Sequence, residues 1–454
     1  MLFPFFPQPA RMTQPEQHSA PEVSRSSMIV AALSTVVEWY DFTLYLYFAT
    51  VLSRVFFGGG ANSLLATLGG FAISYGMRPL GAMVFGHIGD RIGRQRTLVL
   101  SMLLMTLAML ATALLPDYAA IGPAAGGLLI LLRCFMAFSV GGEYTGVVAY
   151  LLEGAREDRR GLITSLASAA SEVGALLAVA LSALTVAVMS AAHLDAWGWR
   201  MPFFAGAALA GCVWFARSTM EESPDFLRQV KQHSVPDSPL RHMLAHHKPA
   251  LRRTFAISAL GSITYYVGIT YVPTFLSSSG ILAESRSLWM SSLAAVAVIL
   301  VTPLAGALSD RVGRKPVLVW LAIASMLLPL AMFGLMAGGG NLPIASGAIV
   351  LACLAGGVSA VGAPATAEQF PGEGRLSGLA LGVTVATAIF GGLTPFLAEL
   401  LVRQTGWTAV PGAMIAVVAL AVLPALLTMP ETNPLVARAH ARTLANDPSS
   451  DDAS

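Results

Sequence analysis

The sequence predicts an all-α polytopic membrane protein, with twelve transmembrane helices in two six-helix halves. Three observations predict it. Hydrophobic residues make up 55% of the 454-residue chain and charged residues only 11%, against about 25% charged in an ordinary soluble domain. Twelve apolar stretches approach the ~20 residues that a spanning helix needs. A nine-residue pattern recurs at a constant offset of 220 residues. A chain this apolar could not cover its own core in water. That excludes a cytosolic enzyme, a nucleic-acid binder and a disordered scaffold, and a net charge of +2 gives no case for an anionic polymer partner.

The stretches run roughly over 28–52, 64–86, 97–115, 124–150, 161–189 and 201–216 in the first half. In the second half they run roughly over 254–277, 288–308, 317–337, 343–366, 376–398 and 408–429. They are continuous, unlike the ~10-residue alternating segments of a membrane barrel. Residues 1–27 are rich in Pro, Gln and Ser, lack the pattern of a signal peptide, and are expected to form a disordered cytosolic N-terminus. The first half is 28–217, the one sizeable polar segment is a central loop at 218–253, the second half is 254–430, and 431–454 is expected to be a disordered cytosolic tail. With both termini in the cytosol, 21 of the 27 basic residues are cytosolic, and the outer loops hold only Arg54, Arg200, Arg286 and Arg403. Basic residues collect on the cytosolic side, so this orientation is the expected one. Cys134, Cys212 and Cys353 lie in separate apolar stretches and suggest no disulfide framework.

The recurring pattern is Gly86-His-Ile-Gly-Asp90-Arg91-Ile-Gly93-Arg94 and Gly306-Ala-Leu-Ser-Asp310-Arg311-Val-Gly313-Arg314. Five positions match, and each copy follows the second span of its half. Tandem halves of this kind are a transporter architecture. The glycines allow close helix approach, and each Asp can hold helix N-termini or arginines across the cytosolic mouth. The plainer alternative is a basic loop that only sets topology; it accounts for the arginines but not for the paired Gly and Asp.

The repeated loop resembles the signature of the major facilitator superfamily. Other segments resemble its metabolite:proton symporter branch, which includes proline/betaine, citrate, α-ketoglutarate and shikimate carriers. They include Glu38-Trp39-Tyr40-Asp41-Phe42, Arg78-Pro79-Leu80-Gly81, Gly141-Gly142-Glu143-Tyr144, Trp197-Gly-Trp-Arg200-Met-Pro202, Tyr271-Val-Pro273 and Pro430-Glu431-Thr432. The resemblance covers about residues 28–435. It implies the twelve-helix fold, alternating access and proton coupling. Members of the branch usually carry Arg-x-x-Gln-Gly in span 4, where this chain has Met136 and Ala137 after Arg133. The Gly-Pro pattern of drug antiporters is absent from span 5, which counts against export by antiport.

A charge at the bilayer centre costs at least ~2.5 kcal/mol on insertion scales. Six charged residues fall inside the expected spans, all in the first half: Glu38, Asp41, Arg78, Arg133, Glu143 and Glu172. A rise of 1.5 Å per residue places Glu38 roughly 15 Å, Arg78 roughly 12 Å and Glu172 roughly 16 Å from the cytosolic edge. Arg78 can therefore reach Glu38 or Asp41. Glu38, Asp41, Glu172 and Glu143 are the candidate proton-coupling groups, because burial and a nearby arginine push a carboxylate in opposite directions. Arg78 and Arg133 are candidate cargo-binding groups, because a guanidinium holds a carboxylate bidentately. Structural ion pairs are the alternative for all of these except Glu172, which has no basic residue near it in sequence.

Tyr265 and Tyr266 in span 7 are candidate cargo contacts, through ring faces or hydroxyls; packing is the alternative. His87, His193 and the cluster His242, His246 and His247 lack a matching ligand set, so no metal is expected. No nucleotide loop is present, so no cofactor and no ATP drive is expected. The expected function is secondary active transport: proton-coupled uptake of a small organic acid or zwitterion across the cytoplasmic membrane, with an osmolyte such as proline or betaine as the alternative cargo. A membrane-embedded enzyme or a transporter-like sensor remains a distant alternative. The expected partners are a small molecule, protons and the lipid bilayer, with no nucleic acid, for a carrier acting as a monomer.

Overall fold

The computed structural model describes residues 25–92, 94–141, 143–218, 247–370 and 375–445. These residues are helical throughout and form twelve spans with no strand among them. Span 1 joins Arg25–Tyr47 to Ala49–Phe57, span 2 joins Ser63–Tyr75 to Met77–Ile92, and span 3 is Arg94–Leu114. Span 4 joins Ala124–Ser139 to Glu143–Gly154; span 5 is Arg160–Val188 and span 6 is Arg200–Ser218. Span 7 joins Lys248–Tyr265 to Val272–Ser278 through a π-helical turn at Tyr266–Thr270. Spans 8, 9 and 10 are Glu284–Val312, Arg314–Ala337 and Asn341–Ala367. Span 11 joins Arg375–Thr387 to Thr394–Thr405 through another π-helical turn at Ala388–Gly392, and span 12 is Val410–Thr428. Among the described residues, seven helices are each long and apolar enough to cross a membrane unaided, and span 7 makes an eighth if its 42° bend is counted within one span.

An even number of spans returns the chain to its starting side. We call that side the terminal face and the other the far face. Leu300, Leu304, Leu327, Val417 and Leu420 point outward and are more than half exposed. In water this would be an unusually apolar surface; in lipid it is the required one.

The helices run past the apolar stretches at several ends, because a helix does not stop where hydropathy drops. Span 1 reaches Phe57, and span 11 reaches Thr405. The second half was expected to hold no charge within its spans. Instead Glu399 lies in span 11 and is 2% exposed. The expected central loop begins its helix early, at Lys248, and most of it lies outside the described residues. Part of the expected disordered tail is a helix, Pro434–Ala445.

The two halves meet where span 5 crosses span 8 and where span 2 lies along span 11. Gly161 and Gly306 make the first crossing possible: a Cβ on either would come within 2.6 Å of the other's carbonyl oxygen. Small residues at a crossing let helices in lipid approach closely. Asp310 then closes this crossing on the terminal face. Its carboxylate accepts from the Gly161 and Leu162 amides at 2.7 and 2.8 Å, at the N-terminus of span 5. These donors have no intrahelical partner, and the helix dipole favours an anion there. Arg314 lies 2.8 Å from Asp310 and 3.4 Å from Glu368. Glu431 caps span 9 in turn, accepting from the Arg314 and Lys315 amides at 2.8 and 3.0 Å. Arg311 is exposed. In the first copy of the pattern, Gly93 lies outside the described residues. Gly86, Asp90, Arg91 and Arg94 sit on helical backbone whose side chains lie outside them too.

Hydrogen bonds to a charged group contribute about 1.5–3 kcal/mol each. Asp310→Asn is therefore expected to lower the thermal unfolding temperature of the purified protein and raise labelling of a cysteine introduced beside the crossing, at the half-buried position of Leu162. Arg311→Gln should change neither. Equal effects from both substitutions would show that surface charge, not this cap, is what matters.

Candidate functional site

A cavity of about 130 Å³ lies between the halves. Glu38, Trp39, Arg78, Tyr144 and Glu172 line it from the first half; Ser262, Tyr265, Tyr266 and Thr366 line it from the second. Pockets for drug-sized ligands run to about 300–1,000 Å³, so this space suits a small metabolite. Toward the far face it is covered by packed rings. Tyr75 stands 5.4 Å from Tyr266 between ring centroids, and their hydroxyls are hydrogen-bonded across the two halves. Toward the terminal face, Val148, Leu152, Ala363 and Leu379 form an apolar layer.

Local sequence places the charges. Glu38, Asp41 and Tyr45 recur at helical spacing and share a face of span 1. Span 2 is interrupted at Gly76, and Pro79 sits in the first turn of the continuing helix, where its missing N–H costs nothing. Arg78 is thereby held at the break. Spans 2 and 4 cross at Gly81 and Gly141, where a Cβ on either would strike the other helix's backbone.

The result is a set of ion pairs. Arg78 donates to Glu38, and its guanidinium lies 4.2 Å from the centroid of Phe42 and 5.0 Å from that of Tyr75. Of the two carboxylates within reach of Arg78, Glu38 is therefore the partner. Asp41 pairs with Arg133, which donates through both terminal nitrogens at 2.6 and 3.0 Å. Neither Asp41 nor Arg133 is among the residues lining the cavity. Glu143 lies 2.8 Å from Arg217. Sequence counted Arg217 with the cytosolic basic residues; it is 2% exposed and also donates to Ser34. Glu172 has no arginine or lysine partner among the described residues, and its Oε2 atom is buried without a hydrogen bond. Met136 and Ala137 are buried and apolar, so these positions offer no side-chain hydrogen bond to a cargo.

In the second half, Glu399 pairs with Arg403 at 2.7 Å and accepts from Tyr271 at 2.8 Å and Ser278 at 3.1 Å. This satisfied cluster lies toward the far face, where Arg54 bridges Asp195 at 3.0 Å and Glu284 at 3.4 Å. Thr50 donates to Glu284 as well, so the far face is also held across the halves. On the terminal side, just past span 10, burial pushes the Glu368 carboxyl above its ordinary value and Arg314 opposes that shift. Among the described residues no three His, Cys, Asp or Glu side chains are placed to hold a metal ion. His242 and His246 lie outside those residues.

Known proteins match this arrangement along most of the chain. Residues 27–238 match the Sugar (and other) transporter family, and residues 281–450 match the Major Facilitator Superfamily. A proline/betaine transporter of Salmonella typhimurium is 31% identical over 419 residues, covering 90% of this chain and 84% of that protein. A citrate-proton symporter of Klebsiella pneumoniae is 31% identical over 379 residues, covering 83% and 85%. The partially occluded inward-open structure of the xylose transporter XylE from E. coli shares the fold, with a TM-score of 0.69 at 18% identity over 90% of this chain and 98% of that one. With its duplicated loop, its twelve spans and these relatives, the chain belongs to the major facilitator superfamily of membrane transporters, in the branch that holds the proline/betaine and citrate–proton carriers.

Proposed function

We propose that the protein is a proton-coupled symporter. It takes up a small organic acid or zwitterion across the cytoplasmic membrane by alternating access, acts as a monomer, and keeps both termini in the cytosol. The Lys/Arg distribution supports the orientation. Two relatives, a proline/betaine transporter and a citrate-proton symporter, support the reaction class.

The observation that carries the reading is the Arg78–Glu38 pair in the wall of the shared cavity. Arginine keeps its proton in a protein. In the empty carrier, guanidinium and carboxylate cancel. A proton on Glu38 removes that cancellation and frees Arg78 to take the carboxylate of a cargo. Both states are neutral at this pair. A proton without cargo, or cargo without a proton, leaves one bare charge between the halves. At ~2.5 kcal/mol or more, a bare charge suppresses such states roughly 70-fold, so the carrier turns over with both or with neither. Arg78 Nε and Glu38 Oε2 are buried without partners, which leaves each group capacity for this exchange. Asp41 and Arg133 offer the same chemistry behind the cavity wall.

Osmolyte uptake is the second reading, and the ring cluster of Trp39, Tyr144, Tyr265 and Tyr266 favours it. The pair of Glu143 and Arg217 lies apart from the cavity's second-half wall, and we assign it a structural role.

Uptake into proteoliposomes under an imposed pH gradient tests the coupling. Accumulation should collapse with the gradient; accumulation that survives the collapse refutes proton coupling. Glu38→Gln should lower accumulation on the order of tenfold or more while leaving cargo exchange intact. Asp41→Asn should also uncouple if the second pair takes part, and wild-type accumulation in that variant would confine coupling to Glu38. For the structural pair, breaking one partner of a buried ion pair costs about 3–5 kcal/mol, while replacing both by apolar residues of similar volume is often close to neutral. Glu143→Met should thus unfold at lower temperature than the double variant with Arg217→Met. A double variant that is stable yet does not transport would move this pair into the mechanism.

A further inference from the structure

Among the described residues, Glu172 differs from the other carboxylates buried in the spans. Glu38, Asp41, Glu143 and Glu399 each have an arginine; Glu172 has none among the described residues. It is 3% exposed, lines the cavity, and holds its Oε2 atom without a hydrogen bond. Tyr144 and Tyr265 line the same cavity, and the Tyr47 hydroxyl and the Trp39 indole N–H are buried without partners.

Around Glu172 the cavity wall is aromatic. Ring centroids lie 4.9 Å apart for Trp39 and Tyr265, 5.9 Å for Trp39 and Tyr144, and 5.3 Å for Tyr265 and Tyr266. All four residues line the cavity together with Glu172. Aromatic faces are electronegative and attract a cation. The wall thus presents a carboxyl group with no arginine or lysine partner among the described residues and ring faces on one side, and on the other a guanidinium already cancelled by Glu38. A dicarboxylate or tricarboxylate would set a second negative charge against Glu172, and like charges repel strongly where water is scarce.

We propose that Glu172, with Trp39, Tyr144 and Tyr265, is a subsite for a positively charged nitrogen, and that the cargo is a small zwitterion rather than a polycarboxylate. Its nitrogen meets Glu172 and the rings. Its carboxylate turns to Arg78 and accepts from the free Trp39 N–H. Glu172 was expected from sequence to carry a proton; here it neutralises cargo instead, and the coupling proton belongs to the arginine-paired carboxylates. The proposal rests on the transport reading above and adds to it the charge type of the cargo.

Binding without any gradient tests this separately from coupling. The purified full-length carrier is titrated at one pH with glycine betaine, L-proline, succinate and citrate, and binding is read by thermal stabilisation and titration calorimetry. At least one of the two zwitterions should bind, and succinate and citrate should not. Glu172→Gln should weaken zwitterion binding by about tenfold or more, and Glu172→Asp should recover part of it. If Glu172→Gln fails to fold by gel filtration, Trp39→Leu supplies the same comparison, with an expected loss of several-fold. Tighter binding of succinate or citrate than of either zwitterion, no binding of either zwitterion, or unchanged affinity in Glu172→Gln overturns the proposal. A failure of coupling appears in wild-type accumulation when the pH gradient is collapsed, and a failure of the subsite appears in the Glu172 titrations, which use no gradient.

Discussion

A charge inside a membrane must be balanced where it stands, and much of this structure follows from that requirement. Water cannot reach most of these groups, and lipid cannot solvate them. Each arginine in the first-half core therefore faces a carboxylate: Arg78 faces Glu38, Arg133 faces Asp41 and Arg217 faces Glu143. These pairs tie span 1 to spans 2 and 4, and span 4 to span 6. They also determine which helices must stay together while the halves move. Among the described residues, Glu172 is the buried carboxyl of the spans with no arginine or lysine partner, and it faces the cavity.

The same requirement explains the difference between the two faces. On the terminal face, the balancing charges are backbone dipoles as much as side chains. Asp310 holds the N-terminus of span 5, and Glu431 holds that of span 9. On the far face, the balance is side chain to side chain, through Arg54 with Asp195 and Glu284. The two closures thus differ in what the carboxylates hold, a helix N-terminus on one face and a guanidinium on the other, although both join the same two halves.

Much of the fold was legible in the sequence, because lipid enforces a simple rule on length and polarity. The twelve spans and the duplicated loop follow from hydropathy and from the repeat of Gly86–Arg94 at Gly306–Arg314. The site was legible only in part. Depth along a helix comes from counting residues, so Glu38, Asp41 and Arg78 could be placed at similar levels. Rotation about the axis does not, so the partner of Arg78 could not be chosen, and Arg133 was not matched to Asp41. Arg217 was read only as an orientation signal because it stands next to a polar segment, and only packing shows that its side chain is buried. Glu399 was missed because hydropathy ends a span at the first charge, whereas this helix continues beneath the hydroxyls of Tyr271 and Ser278. Glu172 was singled out because no basic residue lies near it in sequence, and the structure keeps it so.

The contact between Tyr75 and Tyr266 joins two tasks in one ring. Tyr266 lines the cavity, and its hydroxyl also fastens the second half to the first on the far side. It sits at the start of the π-helical turn in span 7, where the backbone is already irregular. A cargo bound in this cavity as proposed would touch the same side chain that joins the halves. Under that proposal, occupancy and the contact between the halves meet in one residue, and a substitution at Tyr266 would alter both.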